Sequence, residues 1–453
     1  MYVNLLKLIF LLLIFILSAC NEKNQVVDQD NGSLTHQEYS IDSDGNIVAT
    51  EFEIEDFTSA SECANCHASQ YNEWSASFHS KSFDDPVFMN MWFSEKSHRP
   101  TTGVNYCIQC HAPAAFLSNY DLSNIQTISD IPSSDIPDII KEGVSCDICH
   151  TMVNKSPSVY TEHHVAAVAE YYLNPEANIK YGSIQNPDTT SYHESMFLPI
   201  FNSSSSCKPC HNQFIRGMPI EATFSEWNDH PGLSMGGISC QSCHMKKQAD
   251  GHSSHYFSGV DVLFYNGVDE SSEQYQQVTQ MLQEAASISL ENIYIEGDIL
   301  HIPVFVENLT GHNLPSGTSF SREAWIELIV FSGESGTIYS KGVLADSSEE
   351  LNYNDSDLML YTTILYDEEN LAGNVIYEAS NALSYNDKTL RTLFYDTKSY
   401  SVDISSYTTD SFTITARMLF RAFKPQVINQ FHSESISNIP IFEMCSENIV
   451  INR

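Results

Sequence analysis

The sequence predicts an α+β multidomain protein, with a mainly α and irregular front half and an antiparallel β-sandwich-like back half. Three observations predict it. Five copies of Cys-x-x-Cys-His stand between residues 57 and 263, in a stretch rich in Ser, Asn, Pro and Tyr with few long amphipathic patterns. Residues 271–287 then carry an unbroken helical pattern. From Ile288 onward apolar residues recur at every second position, in segments parted by turn residues.

The chain opens with an apolar run from Leu5 to Leu17 that holds one charge, Lys7. It is too short for a membrane span and suits the h-region of a signal peptide. The run ends in Leu17-Ser18-Ala19-Cys20. Small residues before a Cys, directly after an h-region, resemble the bacterial lipobox, in which the Cys is acylated and becomes the new N-terminus. An ordinary signal peptide whose cleavage site precedes a Cys is the alternative. Residues 1–19 are therefore read as a lipoprotein signal peptide and Cys20 as the lipidation site, which anchors the chain to a membrane without a spanning helix. Asn21 follows where Asp would be an inner-membrane retention signal. The expected address is the cell envelope, lipid-anchored at the outer membrane, on its periplasmic or cell-surface face.

Residues 20–56 are polar and acidic, with Gly32 and Gly45, and read as a flexible tether. Within it, Asp42-Ser43-Asp44-Gly45-Asn46 starts like a calcium loop but lacks the closing Glu, so it reads as a turn.

Residues 57–263 hold the motifs: Cys63/Cys66/His67, Cys107/Cys110/His111, Cys146/Cys149/His150, Cys207/Cys210/His211 and Cys240/Cys243/His244. Each is the pattern for covalent c-type haem attachment, with two thiols bonded to the porphyrin edge and the adjacent His as proximal iron ligand. The chain has 12 Cys, and the five pairs leave only Cys20 and Cys445. Structural zinc and thioredoxin-like redox pairs also use Cys-x-x-Cys. Neither explains a His after the second Cys five times out of five. The expected cofactor is five covalently attached haems c, with the porphyrins rather than side chains as the core of this pentahaem domain.

Residues 264–287 read as a connector built on one helix. Tyr275, Val278, Met281, Leu282 and Ala285 share a face, and no Pro or Gly interrupts them. In residues 288–453 the β-branched and apolar segments 300–308, 324–331, 359–366, 400–404 and 412–420 are separated by Gly311, Pro315-Ser316-Gly317, Gly333, Gly336 and Gly373. Many short strands over such a length indicate a β-sandwich. Cys445 reads as a small buried hydrophobe or, alternatively, an intermolecular disulfide partner.

Formal net charge is −37, from 58 acidic against 21 basic residues. Nucleic acid is excluded as a partner, because phosphate binding needs clustered Lys and Arg. Basic redox partner proteins or cationic surfaces would be steered toward this chain, and solubility in a saline habitat would produce the same bias.

The run Cys63 to Phe83, CANCHASQYNEWSASFHSKSF, resembles the opening of the cytochrome c-554 family, with Gln70, Trp74 and His79 at the matching positions. Gly143-Val144-Ser145 leading into Cys146, the downstream pair His163 and His164, and His193 upstream of Cys207 continue the resemblance over four of the five motifs. It implies distal ligands at His79, then His163 or His164, then His193. It also implies that the second iron can be left open. The chain departs from that pattern in two places. A fifth motif follows Gly237-Ile238-Ser239, with His252 and His255 after it. A β-domain opens with the phrase from Val306 to Gly317, continuing to Arg322 and Trp325, and is similar to the C-terminal domains of larger multihaem cytochromes.

Distal ligands decide what each iron can do. With two His ligands it only passes electrons; with one position open it can bind and reduce a substrate. Of 17 His, five are proximal. His79, His98, His163, His164, His193, His252, His255 and His312 are candidates for the distal side. His255 fits the fifth motif by proximity. His98 either closes the second iron or lines a pocket beside it. His312 lies in a Gly-rich turn, where it either reaches a haem edge from the β-domain or bonds to local backbone. Met235 and Met245 flank the fifth motif and would serve in place of His. His36, His230, His301 and His432 read as ordinary histidines. Supply exceeds demand, so two His per iron is the default.

No Cys-x-x-Cys-Lys is present, and no catalytic residue is assigned. The expectation is an electron carrier. The alternatives are a multihaem reductase or oxidase of a small nitrogen or sulfur species at one open haem, and a subunit assembled with other cytochromes into a conduit or filament.

Overall fold

The computed structural model describes residues 39–41, 47–49, 52–98, 103–127, 130–133, 135–154, 172–188, 190–215, 217–265, 267–431 and 438–453, with the side chain of His98 left out. The signal peptide, Cys20, most of the tether, His36, His163, His164 and His432 lie outside them. The described residues fall in one compact unit, Gln37–Arg453.

The front half is built of short helices and turns. Pro86–His98 starts where Pro fits the first helical turn, and the Asp85 carboxylate accepts the Phe88 N–H at 2.7 Å as its cap. It buries Val87, Met89 and Trp92. Met89 and Trp92 pack with Phe83, with Ile108 and Ala112 around the second motif, with Phe116 and Leu117 of the helix Pro113–Leu117, and with Ile140 and Ile148 around the third. The sequence expectation that side chains would not make a core here is therefore corrected. The apolar residues are spread over many short elements, so no single element shows a periodicity that announces them.

The back half is an antiparallel β-sandwich. In one sheet Tyr294–Glu296, Ile299–Asn308 and Tyr395–Asp403 lie side by side, and Ala286–Leu290 also pairs with Ile299–Asn308. In the other, Gly336–Lys341, Glu323–Ser332, Ser411–Arg421 and Phe442–Asn452 follow in order, with Leu360–Tyr361 beside Glu323–Ser332. Alternate residues of each strand face inward, as the pleat requires. Leu300, Ile302, Val304 and Val306 from the first sheet meet Ile326, Leu328, Val330, Ile414, Ala416 and Met418 from the second.

The helix Glu273–Gln283 is capped by Ser272, whose hydroxyl accepts the Tyr275 N–H at 3.2 Å. It buries Val278 and Leu282 against the sandwich and lays Tyr275 on Phe442, ring centroids 5.1 Å apart. Beneath the second sheet, Arg421 and Glu323 form a fully buried ion pair, and Arg421 also donates to the carbonyls of Ser347 and Glu349. The halves share an apolar joint in which Ile215, Met218 and Ile220 meet Phe320, Leu365 and Ala382.

Candidate metal centres

Each motif folds as one helical turn. The second, third and fifth lie on the helices Gly103–His111, Cys146–His150 and Cys240–His244. In the first and fourth, His67 N–H donates to the Cys63 carbonyl at 2.9 Å and His211 N–H to the Cys207 carbonyl at 3.0 Å. Cys, Cys and His at i, i+3 and i+4 therefore share one face, which is what two thioether links and one axial bond to a single porphyrin require. The repeated Gly-Val/Ile-Ser before Cys146 and Cys240 has a backbone cause. Gly143 and Gly237 take φ +62° and +79°, and Ser145 and Ser239 hold the N-cap position, in extended backbone, of the helices that follow.

The distal side is assembled from remote segments. His67 faces His193, His79 faces His211, His150 faces His255 and His244 faces His312, with ring centroids 6.3 Å apart in every pair. Two imidazoles bound to one metal through Nε2 need about 2 Å from metal to nitrogen and about 1.1 Å from nitrogen to ring centre on each side, which gives this separation. Among the described residues, no group of three or more His, Cys, Asp or Glu is placed to hold a metal ion as a zinc site would. None of the described cysteines is in a disulfide.

The Nδ1 atoms fit the same arrangement. His111 bonds to the carbonyl of Ser82 at 2.8 Å, His150 to Tyr181 at 2.7 Å and His244 to Ser258 at 2.6 Å. On the distal side His193 bonds to the carbonyl of Glu194, His255 to Ser253 and His312 to Asn313. A carbonyl can only accept, so each of these rings carries its proton on Nδ1 and points a bare Nε2 the other way. Burial keeps the rings neutral. It pushes His79 down to about 3 and His111, His244 and His255 to about 4, and it lowers His150 and His312. His211 is the exception. Burial would lower it too, but the carboxylate of Glu221 raises it to about 9.

These residues fit haem c. The ten motif cysteines would hold the porphyrins, and the facing imidazoles would take both axial positions at four of them. Bound there, the group supplies a one-electron Fe(III)/Fe(II) couple. The chain's own residues fix the ring orientations, hold Nε2 unprotonated on the carbonyl-bonded rings and wall the pairs with aromatics. Phe257 packs 4.4 Å from His79 and Phe201 5.9 Å from His150.

Several sequence readings come out differently. His255, which proximity assigns to the fifth motif, lies against His150 of the third. Its backbone N–H is pinned by the Glu73 carboxylate at 2.7 Å, which draws the segment after His244 across to the first helix. His252 faces no motif imidazole but sits between Glu73 and Asp250, at 3.0 and 2.5 Å. His312 reaches the fifth motif from the β-domain. Its carbonyl accepts from Asn308 Nδ2 at 2.8 Å and Thr310 Oγ1 at 2.6 Å, so the loop is tied to itself before it meets His244. At the second motif, His111 stacks on Phe88 with centroids 3.7 Å apart and planes 1° from parallel. Met235 is 86% exposed, in the turn before the fifth motif. Cys445 lies in the strand Phe442–Asn452, half-buried against the sandwich core.

The thiols also show which motifs adjoin. Cys63 lies beside Cys146, Cys110 beside Cys210, and Cys207 beside Cys240. The first motif therefore neighbours the third, and the fourth neighbours both the second and the fifth. The first and third are locked further, because Glu142 accepts the Ser59 hydroxyl at 2.5 Å and the Ala60 N–H at 2.9 Å, and Trp74 Nε1–H donates to the Val144 carbonyl at 2.8 Å.

Cys66 and Cys243 are exposed, whereas the other eight motif cysteines are half-buried. Cys66 and Cys243 keep the i, i+3, i+4 spacing with their Cys and His and stay in the attachment set.

Residues 62–151 match the family described as cytochrome c554 and c-prime. A search of curated proteins found no match. Among solved structures, the penta-haem cytochrome c552 from Thermochromatium tepidum superposes with a TM-score of 0.64 at 19% identity, covering 88% of this chain and 100% of its own. The adhesion Fhb of Streptococcus suis gives a TM-score of 0.17 at 14% identity, over 40% of this chain and 93% of its own. The β-glucosidase 3B of Thermotoga neapolitana gives 0.14 at 9% identity, over 37% and 17%. Neither of those scores bears on the fold. Five Cys-x-x-Cys-His motifs and four facing imidazole pairs fit a multihaem c-type cytochrome, the family that residues 62–151 resemble and the fold that the likeness to the penta-haem cytochrome c552 shows.

Proposed function

We propose that the chain is a pentahaem relay, anchored by lipid at Cys20 in the cell envelope, most suitably at the outer membrane, passing electrons between redox partner proteins or to an acceptor beyond them. The observation that carries the relay is the set of four facing imidazole pairs. With both axial positions filled by protein, a haem has no place for a substrate and exchanges only electrons. Five attachment motifs support the count of five, as does a full-length likeness to a protein named as penta-haem. The lipid anchor rests on Leu17-Ser18-Ala19-Cys20 after the apolar run. The net charge of −37 favours basic partners, through long-range attraction that salt screens.

Carbon monoxide tests the relay against a reductase. It binds ferrous haem only where an axial position is open. The dithionite-reduced protein should show at most one haem in five shifted by the gas, that of the second motif. Two or more responsive haems would contradict closure by these pairs. Labelling with a palmitate analogue, lost in Cys20→Ser, tests the anchor.

A further inference from the structure

Three proximal imidazoles meet a neutral peptide carbonyl at Nδ1; His211 meets a charge. The Glu221 Oε1 lies 3.6 Å from His211 Nδ1. Glu221 ends the strand Met218–Glu221, its side chain is 19% exposed, and it accepts the Thr223 hydroxyl at 2.6 Å. A counter-charge stands close by. Arg322 Nη1 and Glu221 Oε2 lie 2.7 and 2.9 Å from the point a Cβ would occupy at Gly317. Arg322 is itself held by the Ser316 carbonyl at 2.8 Å and by Asp261 at 3.2 Å.

We propose that Glu221 is a positioning residue that, acting through His211, sets the centre of the fourth motif at a lower reduction potential than the centres whose proximal His meet only carbonyls. The inference rests on the reading that a haem is bound between His79 and His211. The physical reason is charge. The oxidised centre carries one more positive charge than the reduced one, so a fixed carboxylate beside its ligand favours the oxidised form. The Glu221 carboxylate is only 19% exposed, so solvent screens its charge less than that of a surface carboxylate. Arg322 moderates it. The step concerned is a one-electron reduction by a neighbouring haem, with no bond made or broken. The placement matters because the fourth motif touches the second through Cys110/Cys210 and the fifth through Cys207/Cys240. The junction of the relay is then the centre on which electrons do not rest.

The test is a redox titration of the full haem-loaded protein, followed by optical and EPR spectra, in wild type, Glu221→Gln and Arg322→Gln. The centre in question is the one that becomes high-spin in His79→Gly. Glu221→Gln keeps an acceptor for Thr223 and removes the charge. It should make reduction of that centre about tenfold easier, ~59 mV for one electron, with the other potentials unmoved. Arg322→Gln should move the same centre the opposite way. An unmoved centre in fully loaded Glu221→Gln overturns the proposal, as does an equal shift of all centres. Loss of haem from the fourth motif in both variants also overturns it, by making Glu221 structural. A wild type that carries no haem at Cys207/Cys210 sinks the underlying reading instead, and a haem count made first separates the two failures.

Discussion

His312, on the loop leaving the strand Ile299–Asn308, faces His244 of the fifth motif with ring centroids 6.3 Å apart and planes 21° from parallel. The β-sandwich thus places an imidazole where it would complete a metal centre of the front half. The loop's own bonds run from Asn308 and Thr310 to the His312 carbonyl, so the ring can be removed without unmaking the loop. His312→Gly should leave the haem count unchanged and turn one centre high-spin and carbon-monoxide-responsive. EPR and the reduced carbon monoxide spectrum read both, and a fully low-spin variant would refute the pairing.

Glu226 holds the same loop from the other side. It accepts the Asn313 N–H at 3.0 Å and the Ser316 hydroxyl at 2.6 Å. Glu226→Ala leaves the Asn313 N–H unpaired, while the Ser316 hydroxyl keeps Thr223 Oγ1 at 2.8 Å, and should cost about 1–3 kcal/mol of stability. Thermal unfolding followed at the fifth centre's absorbance should show the loss, with Glu226→Gln much milder.

Gly143 is crowded by the turn that carries His79. A Cβ there would overlap Ser82 Oγ and stand 2.8 Å from the His79 carbonyl, at φ +62°. Ser82 in turn accepts the Nδ1 proton of His111 through its carbonyl. Gly143→Ala should therefore destabilise by about 2–4 kcal/mol and disturb two centres together, those of His79/His211 and His111. Disturbance of the third motif alone, read by EPR, would show that the turn is not shared in this way.

Acid should open the centres. His79, His111, His244 and His255 have folded values near 3 to 4 against an ordinary 6.5, so below pH 6.5 the unfolded chain binds more protons than the folded one. Their contribution is intact above pH 6.5 and is lost as pH falls toward 4. Asp85 and Glu226 run the other way. Burial raises them to about 6 and about 7, so they favour the fold more as pH falls from 7 to about 4.5. Stability should be greatest near pH 6–7 and the low-spin spectrum should give way between pH 5 and 4, as read by optical titration with circular dichroism. Loss of the low-spin spectrum on raising the pH from 6 to 8 would contradict the sign.

Removing one partner of the buried Glu323–Arg421 pair should weaken the sandwich. Arg421→Met strands a carboxylate at full burial and should cost about 3–5 kcal/mol. Thermal unfolding should report it, while the haem spectrum at room temperature stays unchanged.

The motifs were legible because haem attachment is local. Cys, Cys and His must share one helical turn, so five attachment sites can be read from spacing alone. The helix face from Tyr275 to Ala285 and the strands around 300–308 and 412–420 could be read because one element carries its whole pattern. The strand Phe442–Asn452 could not. Its outer residues, among them Glu443, Ser446 and Asn448, mix with Cys445 and blur the alternation. Distal partners were the least legible. Nothing local marks His255 for His150 rather than His244; the choice is made by Glu73, far away in sequence. The carboxylate beside His211 was missed because Glu221 acts only across a hairpin, although an acidic residue shortly after a Cys-x-x-Cys-His motif is a signal worth reading.

Intact-mass spectrometry of the exported protein, with metal analysis of the same sample, tests the central claim most directly. Five covalent haem additions, five irons and no zinc are expected, with Cys445 as the unmodified thiol. Fewer tetrapyrrole adducts than motifs, or zinc in place of iron, would contradict it.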